Sequence, residues 1–183
     1  MPPDHEDHPE ADQPLSMRWT AGRIASMVAV VLIVGFWAWI FAGGPRKANP
    51  DRMDDRAFVT TAEKHCVKLR ADLAELPNAA FEKTAAARAA VLVDANVLVA
   101  DMIDDLEAAA PTTGDDAQRV DGWLADWHTY LNARQDYARR LKTDPGARLL
   151  LDANPGGDPV DTGIEVFADV NDMPECATPG DVG

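Results

Sequence analysis

Residues 24–42 have the sequence IASMVAVVLIVGFWAWIFA, which is 19 consecutive uncharged residues, most of them apolar. A helix of this length covers roughly 28 Å, which matches the ~30 Å hydrocarbon core of a bilayer. Basic residues lie on both sides, with Arg18 and Arg23 before the stretch and Arg46 and Lys47 after it. The sequence therefore predicts one transmembrane helix over residues 24–42.

A cleaved signal peptide is the alternative to a permanent anchor, but the first residues fit it poorly. Signal peptides combine a short basic start, an apolar core of about 7–15 residues and a small-residue cleavage site. Here the leader is long and acidic, the apolar stretch is too long, and Pro45 follows the best small-residue site. The pattern favours an uncleaved anchor, and Trp37 and Trp39 suit the aromatic belt of a membrane interface.

The chain is strongly acidic, with 31 Asp and Glu against 17 Lys and Arg and a formal net charge of −14. Nucleic acid binding needs clustered cations, and no basic stripe is present in the sequence, so we expect no nucleic acid partner. The charge is typical of a soluble surface, with recognition of a basic partner as the alternative. Residues 1–23 have too few apolar side chains for a core, which predicts a disordered acidic tail.

The two cysteines, Cys66 and Cys176, both follow the predicted span. An even number of cysteines on one side of a membrane predicts a structural disulfide in an oxidising compartment, with two separate buried thiols as the alternative. A bridge between them would close a loop of about 110 residues and stabilise the fold by about 4–5 kcal/mol.

Two features of the sequence disagree about the orientation of the span. Arg46, Lys47, Arg52 and Arg56 follow it and only two cations precede it, which favours a cytoplasmic C-terminus. The cysteines favour the opposite side. Because charge bias governs short loops more than long domains, we expect a cytoplasmic N-terminus and an extracytoplasmic C-terminal domain at the cell membrane.

Apolar residues recur at helical spacing in three long segments after the span. The first helix has a start signal at Asn49 and Pro50, and its stripe contains Phe58, Ala62, Cys66, Leu69, Leu73 and Leu76. The second is predicted over residues 79–110, with core positions Phe81, Ala85, Leu92, Ala95, Leu98, Met102 and Leu106. The third begins near Thr113 and Asp116, which have capping-box spacing. Its stripe contains Val120, Trp123, Leu124, Trp127, Tyr130, Leu131, Tyr137 and Leu141.

A short fourth helix is predicted after Asp158 and Pro159, with an apolar ridge at Ile164, Phe167 and Val170. The fold class is therefore all-α, with one N-terminal transmembrane helix, a linker over residues 43–49, and an elongated antiparallel three-helix bundle with a short fourth C-terminal helix. We assign the bundle domain to residues 50–176. Residues 177–183 are predicted to form a flexible C-terminus.

The sequence contains no recognisable catalytic motif, since it lacks a phosphate-binding glycine loop, a His-Glu-x-x-His pair and a Gly-x-Ser-x-Gly elbow. His65 lies beside Cys66, but adjacent helical residues point in different directions, which favours a structural cysteine over a nucleophile. Alternating oxygen donors over residues 152–158 suggest a calcium loop, but Pro155 and the lack of a glutamate at the twelfth position favour an ordinary turn. We therefore expect no enzyme, cofactor or metal site.

Four aromatic residues share one face of the third helix: Trp123, Trp127, Tyr130 and Tyr137. Large rings at this spacing most often fill the space between helices. The functional alternative is an aromatic groove for a partner or for an envelope glycan or lipid, with Arg134 and Arg139 near its rim.

Several short segments carry a resemblance to other proteins: RWTAGRIASM at residues 18–27, WLADW at 123–127, DYARR at 136–140 and CATPGD at 176–181. In this combination the chain resembles uncharacterised single-pass membrane proteins of actinobacteria, and its alanine, aspartate and arginine bias suits a high-GC genome. That group has no assigned activity, so the resemblance implies a location and an architecture but no site.

These features predict a membrane-anchored, non-catalytic helical domain outside the cytoplasm that serves as a protein-interaction or scaffold module in the cell envelope. Its expected partners are membrane lipid, through the anchor, and an envelope protein. The alternative is a ligand-binding, sensor-like domain that uses the aromatic face of the third helix. Burial of Trp123 and Trp127 between helices would contradict that alternative.

Overall fold

The computed structural model describes residues 21–41 and 49–181, which are 71% helical and contain no strand. The helices are α1 (Ala21–Phe41), α2 (Arg56–Ala74), α3 (Ala85–Ala109), α4 (Asp115–Leu141) and α5 (Val160–Val170). Two short 3-10 helices are also present, at Ala79–Phe81 and Pro174–Cys176. The chain divides into two compact units, Met1–Lys47 and Ala48–Gly183.

Helix α1 is long and apolar enough to cross a membrane, in agreement with the prediction from the sequence. It spans 21 residues and begins three residues before the predicted span, so Arg23 lies in its first turn. Near its end the ring of Trp37 stacks on that of Phe41, with 5.9 Å between the centroids. The other parts of the predicted tail and linker, residues 1–20 and 42–48, lie outside the described residues.

Helix α2 begins at Arg56, so the predicted start at Asn49 and Pro50 is wrong. Asp55 caps the helix, because its carboxylate accepts hydrogen bonds from the backbone N–H groups of the second and third residues after it, at 2.9 and 3.0 Å. The Asn49 side chain instead accepts from the N–H of Asp51 at 3.0 Å and closes a turn. The residues between this turn and α2 form hydrogen bonds to Asn171 and Asp116, so they do not extend the helix.

Helix α3 is shorter than predicted because the segment over residues 79–110 is broken near its start. Thr84 caps α3 through a 3.1 Å hydrogen bond from the N–H of Ala87, and the preceding 3-10 helix is a separate element. Phe81, a predicted core residue, lies before this break and is 83% exposed, so that assignment is wrong. The later predicted positions that are buried are Leu92, Ala95, Met102 and Leu106.

Helix α4 matches its predicted apolar stripe at every position. All eight residues of that stripe, from Val120 to Leu141, are buried. The predicted capping box at Thr113 and Asp116 is wrong, because Gly114 occupies the N-cap position at φ 86° with no side-chain hydrogen bond to the helix. The Asp116 carboxylate instead accepts hydrogen bonds from the backbone N–H groups of Asp54 and Asp55.

The core of the second unit is enclosed by a ring of elements. Helix α2 packs on α3, α3 on α4, α4 on α5, α5 on Pro174–Cys176, and that short helix on α2. Among the described helices, α2 and α4 are not direct neighbours. The C-terminal segment, α5 with Pro174–Cys176, therefore packs on both α4 and α2 and completes the ring around the core.

The residues before α2 belong to this domain through two polar side chains. Asn171, at the end of α5, is fully buried, donates to the carbonyl of Asp51 at 2.9 Å and accepts from the N–H of Met53 at 2.8 Å. Asp116 on α4 accepts from the N–H groups of Asp54 and Asp55 at 3.0 and 2.8 Å. These bonds attach the segment that leads into α2 to α4 and α5.

The segment after Cys176 is also attached to the helices. The guanidinium of Arg134 is fully buried and makes two bonds to the Asp181 carboxylate, at 2.6 and 2.8 Å. Arg70 donates to the carbonyl of Ala177 at 2.7 Å. Residues 177–181, which the sequence analysis assigned to a flexible C-terminus, are therefore packed on α2 and α4, and residues 182–183 lie outside the described part of the chain.

Candidate functional site

The two cysteines meet where the end of the chain packs on α2. Cys66 and Cys176 form a disulfide, and 110 positions separate them in sequence. Both residues are buried, and the Sδ of Met102 lies 3.9 Å from the Cys66 Sγ. The predicted pairing is therefore present in the structure, and it closes the ring of elements around the core.

His65 does not face the sulfur atoms. Its Nδ1 lies 3.1 Å from a carboxylate oxygen of Asp105 on α3. Because Cys66 is disulfide-bonded, this pair of neighbours offers no thiolate, in line with the structural interpretation of the cysteine.

The four aromatic residues singled out on α4 are core residues. Trp123 and Trp127 are 3% and 0% exposed, and Tyr130 and Tyr137 are both 2% exposed. Neighbouring rings meet edge to face, with 6.3 Å between the centroids of Trp123 and Trp127. Phe167 on α5 stacks on Trp123 at 5.1 Å. The predicted alternative of an open aromatic groove is therefore corrected, because packing against the rest of the core covers the rings.

A large open cleft lies beside one end of this aromatic row. It has a volume of about 970 Å³ and is lined by the first half of α4, by α5 and by the loop over residues 152–158. The stacked pair of Trp123 and Phe167 contributes to its wall, together with Val166, which is 50% exposed. A cleft of this size lies at the upper end of the range for ligand pockets, about 300–1,000 Å³.

The polar lining of the cleft is dominated by four carboxylates from three separate segments, the residues before α2, helix α4 and the loop over residues 152–158: Asp51, Asp115, Asp126 and Asp158. Within residues 49–181 none of these four forms an ion pair. The cation in the lining is Arg119, and it is already committed, because it bonds to the carboxylate of Asp116 at 2.7 Å and to the carbonyl of Pro50 at 2.6 Å. The cleft therefore carries a local excess of negative charge.

Asp126 is the most enclosed of these carboxylates. Burial raises the pKa of the Asp126 carboxyl above its ordinary value, because the charged form loses solvation. Gly163 on α5 permits this arrangement, since a Cβ at that position would lie 2.7 Å from the Asp126 Oδ2 and 2.9 Å from the Nδ2 of Asn154. The absence of a side chain at Gly163 lets α5 approach the carboxylate closely.

A second glycine, Gly122, exposes the backbone of α4 to the cleft. It lies inside the helix, where glycine costs roughly 0.5–1 kcal/mol relative to alanine. A Cβ at Gly122 would meet no atom within 4 Å, so packing among the described residues gives no reason for a glycine. Close approach of a ligand to the helix backbone is one use of such a position.

The loop over residues 152–158 is an ordinary turn, as the sequence analysis favoured. The Asn154 side-chain oxygen accepts from the N–H groups of Gly156 and Asp158 at 2.9 and 3.1 Å, and Gly157 has φ 92°. Among the described residues there is no group of three or more His, Cys, Asp or Glu side chains placed to hold a metal.

The cleft was not predicted from the sequence, since its carboxylates lie far apart along the chain and outside any recognisable motif. The unexplained glycine inside the strongly periodic α4 was the one local signal that could have indicated it. Asn171 was missed, and Arg134 and Asp116 were predicted in other roles, at a groove rim and in a capping box. The reason is similar, because each bonds to a partner distant in sequence.

No protein-family model matches the chain, and neither does a curated protein or a solved structure. The resemblance to single-pass membrane proteins of actinobacteria therefore stays a prediction. The function has to be inferred from the chemistry of the chain itself.

Proposed function

We propose that this chain is a single-pass membrane protein that presents a non-catalytic helical domain outside the cytoplasm, where the domain acts as an interaction module of the cell envelope. The observation that carries the proposal is the combination of one apolar, span-length helix with a disulfide in the domain that follows it. Disulfides persist in oxidising compartments, which supports a location beyond the cytoplasm for such a domain.

The flanking cations oppose this orientation, since four follow the span and two precede it. Arg52 and Arg56, two of the four cations after the span, each lie 3.1 Å from the carboxylate of Asp172. They therefore form part of the domain surface and its ion pairs. The remaining cations, Arg46 and Lys47, balance the pair that precedes the span.

The proposal includes an elongated, antiparallel arrangement of the long helices. Its support is the pairing of opposite helix halves, since Tyr137 and Leu141 near the end of α4 share a cluster with Ala89 and Leu92 near the start of α3. An elongated helical domain offers long sides for contact with other envelope proteins, which suits an interaction or scaffold role.

Cysteine labelling in intact cells tests the location. An Asp104→Cys variant places a thiol on the exposed side of α3, and it should react with a membrane-impermeant maleimide. A matched Ser16→Cys variant carries its thiol before the span and should react only after the cells are permeabilised. The opposite pattern, with Ser16→Cys labelled from outside, would overturn the proposed topology.

Crosslinking in intact cells tests the interaction role. A short amine-reactive or photoactivatable crosslinker should join the full chain to a discrete partner, giving one reproducible heavier species. The chain remaining solely monomeric at native expression levels, with no such species, would contradict the role as an interaction module.

A further inference from the structure

We propose that the acidic cleft between α4, α5 and the loop over residues 152–158 is a docking site for an extended, lysine- or arginine-bearing segment of a partner protein. This inference rests on the proposed function as an interaction module and names the chemistry of the partner. Charge complementarity and the shape of the cleft identify the occupant. Two further features, the enclosed Asp126 carboxylate and Gly122 on α4, are not required by the fold itself.

The charges of the cleft are complementary to a basic segment. Four carboxylates line the cleft without a cationic partner among residues 49–181, and its one arginine is held by Asp116 and a backbone carbonyl. Lys and Arg side chains supply the missing positive charge, and Arg also binds carboxylates in a bidentate geometry. An anionic lipid or a nucleic acid would be repelled by the same charges.

The carboxylate of Asp126, which has no cationic partner among the described residues, lowers the stability of the folded domain when it is charged. Because the pKa of Asp126 is raised, the folded domain binds a proton there more readily than the unfolded chain does, so its stability falls as the pH rises through this pKa. At neutral pH the charged form therefore opposes folding. A cation placed beside Asp126 would offset this cost, which gives a physical reason to keep the carboxylate.

The cleft also gives a bound segment access to the backbone of α4. Gly122 leaves the backbone of α4 open on the cleft side, although alanine would be more favourable for the helix. The neighbouring wall is apolar, with Trp123 and Phe167 stacked 5.1 Å apart. The indole Nε1–H of Trp123 is buried and has no hydrogen-bond partner within the described residues. The aliphatic stem of a lysine or arginine packs well on such a wall while its charged head reaches the carboxylates.

The size of the cleft favours a polypeptide segment over a single ion. Its volume of about 970 Å³ corresponds to roughly 30 water molecules at about 30 Å³ each. A metal ion would leave most of this space unfilled, and the described residues contain no group placed to coordinate one. An extended segment with basic side chains fills the space and meets carboxylates that come from separate parts of the lining.

Peptide binding to the full chain tests the proposal. The protein is held in nanodiscs of zwitterionic phosphatidylcholine, and binding of a dye-labelled trilysine peptide is followed by fluorescence anisotropy, with a triglycine peptide as the neutral probe. We expect trilysine to bind and triglycine not to bind. Added salt should weaken binding, since partly exposed ion pairs are screened.

A matched pair of variants separates the cleft from the overall acidity of the domain. Asp126→Asn with Asp158→Asn should weaken trilysine binding by about tenfold, the loss expected for two partly exposed ion pairs. Asp94→Asn with Asp101→Asn removes the same charge from the exposed side of α3 and should change binding by less than about twofold. Gly122→Leu, whose Cβ would meet no atom of the described residues within 4 Å, places a side chain on the cleft side of α4 and should also weaken binding.

Three results would overturn the inference. Equal weakening by the two Asp pairs would assign binding to overall acidity, and unchanged binding in both cleft variants would remove the site. Displacement of the probe by spermidine as readily as by unlabelled trilysine would identify a small-amine site. A trilysine result with purified protein does not depend on sidedness in cells, so failure here and failure of the labelling experiment are distinguishable.

Discussion

At the scale of single residues, Arg134 is the group whose burial needs the most compensation. Its guanidinium is fully buried, bonds twice to Asp181, and donates to the Asn96 side chain at 2.7 Å. Burial acts to lower the pKa of Arg134, but the hydrogen bond and charge of Asp181 outweigh it and raise that pKa above its ordinary value. Arg134 therefore stays charged, and Asp181 is the residue that stabilises this buried charge.

The two members of the Arg134 and Asp181 pair should be coupled in their effect on stability. Asp181→Asn leaves a buried charge with weaker compensation, and we expect it to lower the free energy of unfolding by about 2–4 kcal/mol. Combining it with Arg134→Met should cost less than the sum of the two single variants. Urea denaturation of the four proteins measures this coupling. A coupling energy near zero would mean that the two side chains do not interact in solution.

Asp116 gives a prediction with a defined pH dependence. Desolvation acts to raise the pKa of Asp116, but the hydrogen bonds from the backbone N–H of Asp55 and from Arg119 outweigh it and hold this pKa below its ordinary value. The stabilisation is therefore complete above the carboxyl pKa of the unfolded chain and is lost as the pH falls through the lower folded value.

Replacing this carboxylate should destabilise the domain mainly at neutral pH. We expect Asp116→Asn to lower the free energy of unfolding by about 1–3 kcal/mol at pH 7, because the charged acceptor of two backbone N–H groups is lost. The difference from the wild type should shrink at pH 3. Asp121→Asn, at an exposed position on the same helix, is the control and should have little effect at either pH. A difference that does not depend on pH would contradict the assignment.

At the scale of elements, predictability from the sequence followed the strength of local periodicity. The large apolar residues of the buried face of α4 were predicted correctly because eight of them recur at helical spacing. The start of α3 was wrong because Thr84 is a local cap that a long alanine-rich segment conceals, and this placed Phe81 in the core instead of on the surface. The pairing of the cysteines was predictable because two cysteines allow one bridge.

The cleft and the ring closure could not be predicted in this way. The cleft brings together Asp51, Asp126 and Asp158, which are individually typical solvated residues with no fixed spacing. Their proximity follows from how α5 packs on α4, and Gly163 controls that contact through the absence of a side chain. Local pattern carries information about which face of a helix is buried, and much less about which loop lies beside it.

The two glycines of α4 make opposite predictions. Gly122→Ala should raise the free energy of unfolding by about 0.5–1 kcal/mol, because its φ is helical and its Cβ would meet open space. Gly114→Ala should lower it by about 1 kcal/mol, because φ 86° at the N-cap is unfavourable for a residue with a Cβ. Thermal unfolding of both variants tests this. Destabilisation by Gly122→Ala would indicate a contact that the structure does not contain.

At the scale of the whole molecule, the domain is closed by its ends. The segment before α2 bonds to Asn171 and Asp116, and the segment after α5 returns to α2 through Cys176 and Arg70. Helices α2 and α4 are not direct neighbours, and the C-terminal segment packs on both of them. The disulfide therefore stabilises the closure of the ring as well as one local contact.

Removing the bridge tests this view of the fold. The cysteines are 110 positions apart, and a loop of this length is worth about 4–5 kcal/mol in the chain-entropy model. We expect Cys66→Ala with Cys176→Ala to lower the free energy of unfolding by about 3–5 kcal/mol, and reduction of the wild-type protein to have a similar effect. Hydrogen exchange should then show the earliest loss of protection over residues 173–181. This segment carries Asp181, so its release also breaks the ion pair with Arg134. Protection lost first in α3 and α4 instead, with residues 173–181 unchanged, would show that the ring is held without its disulfide.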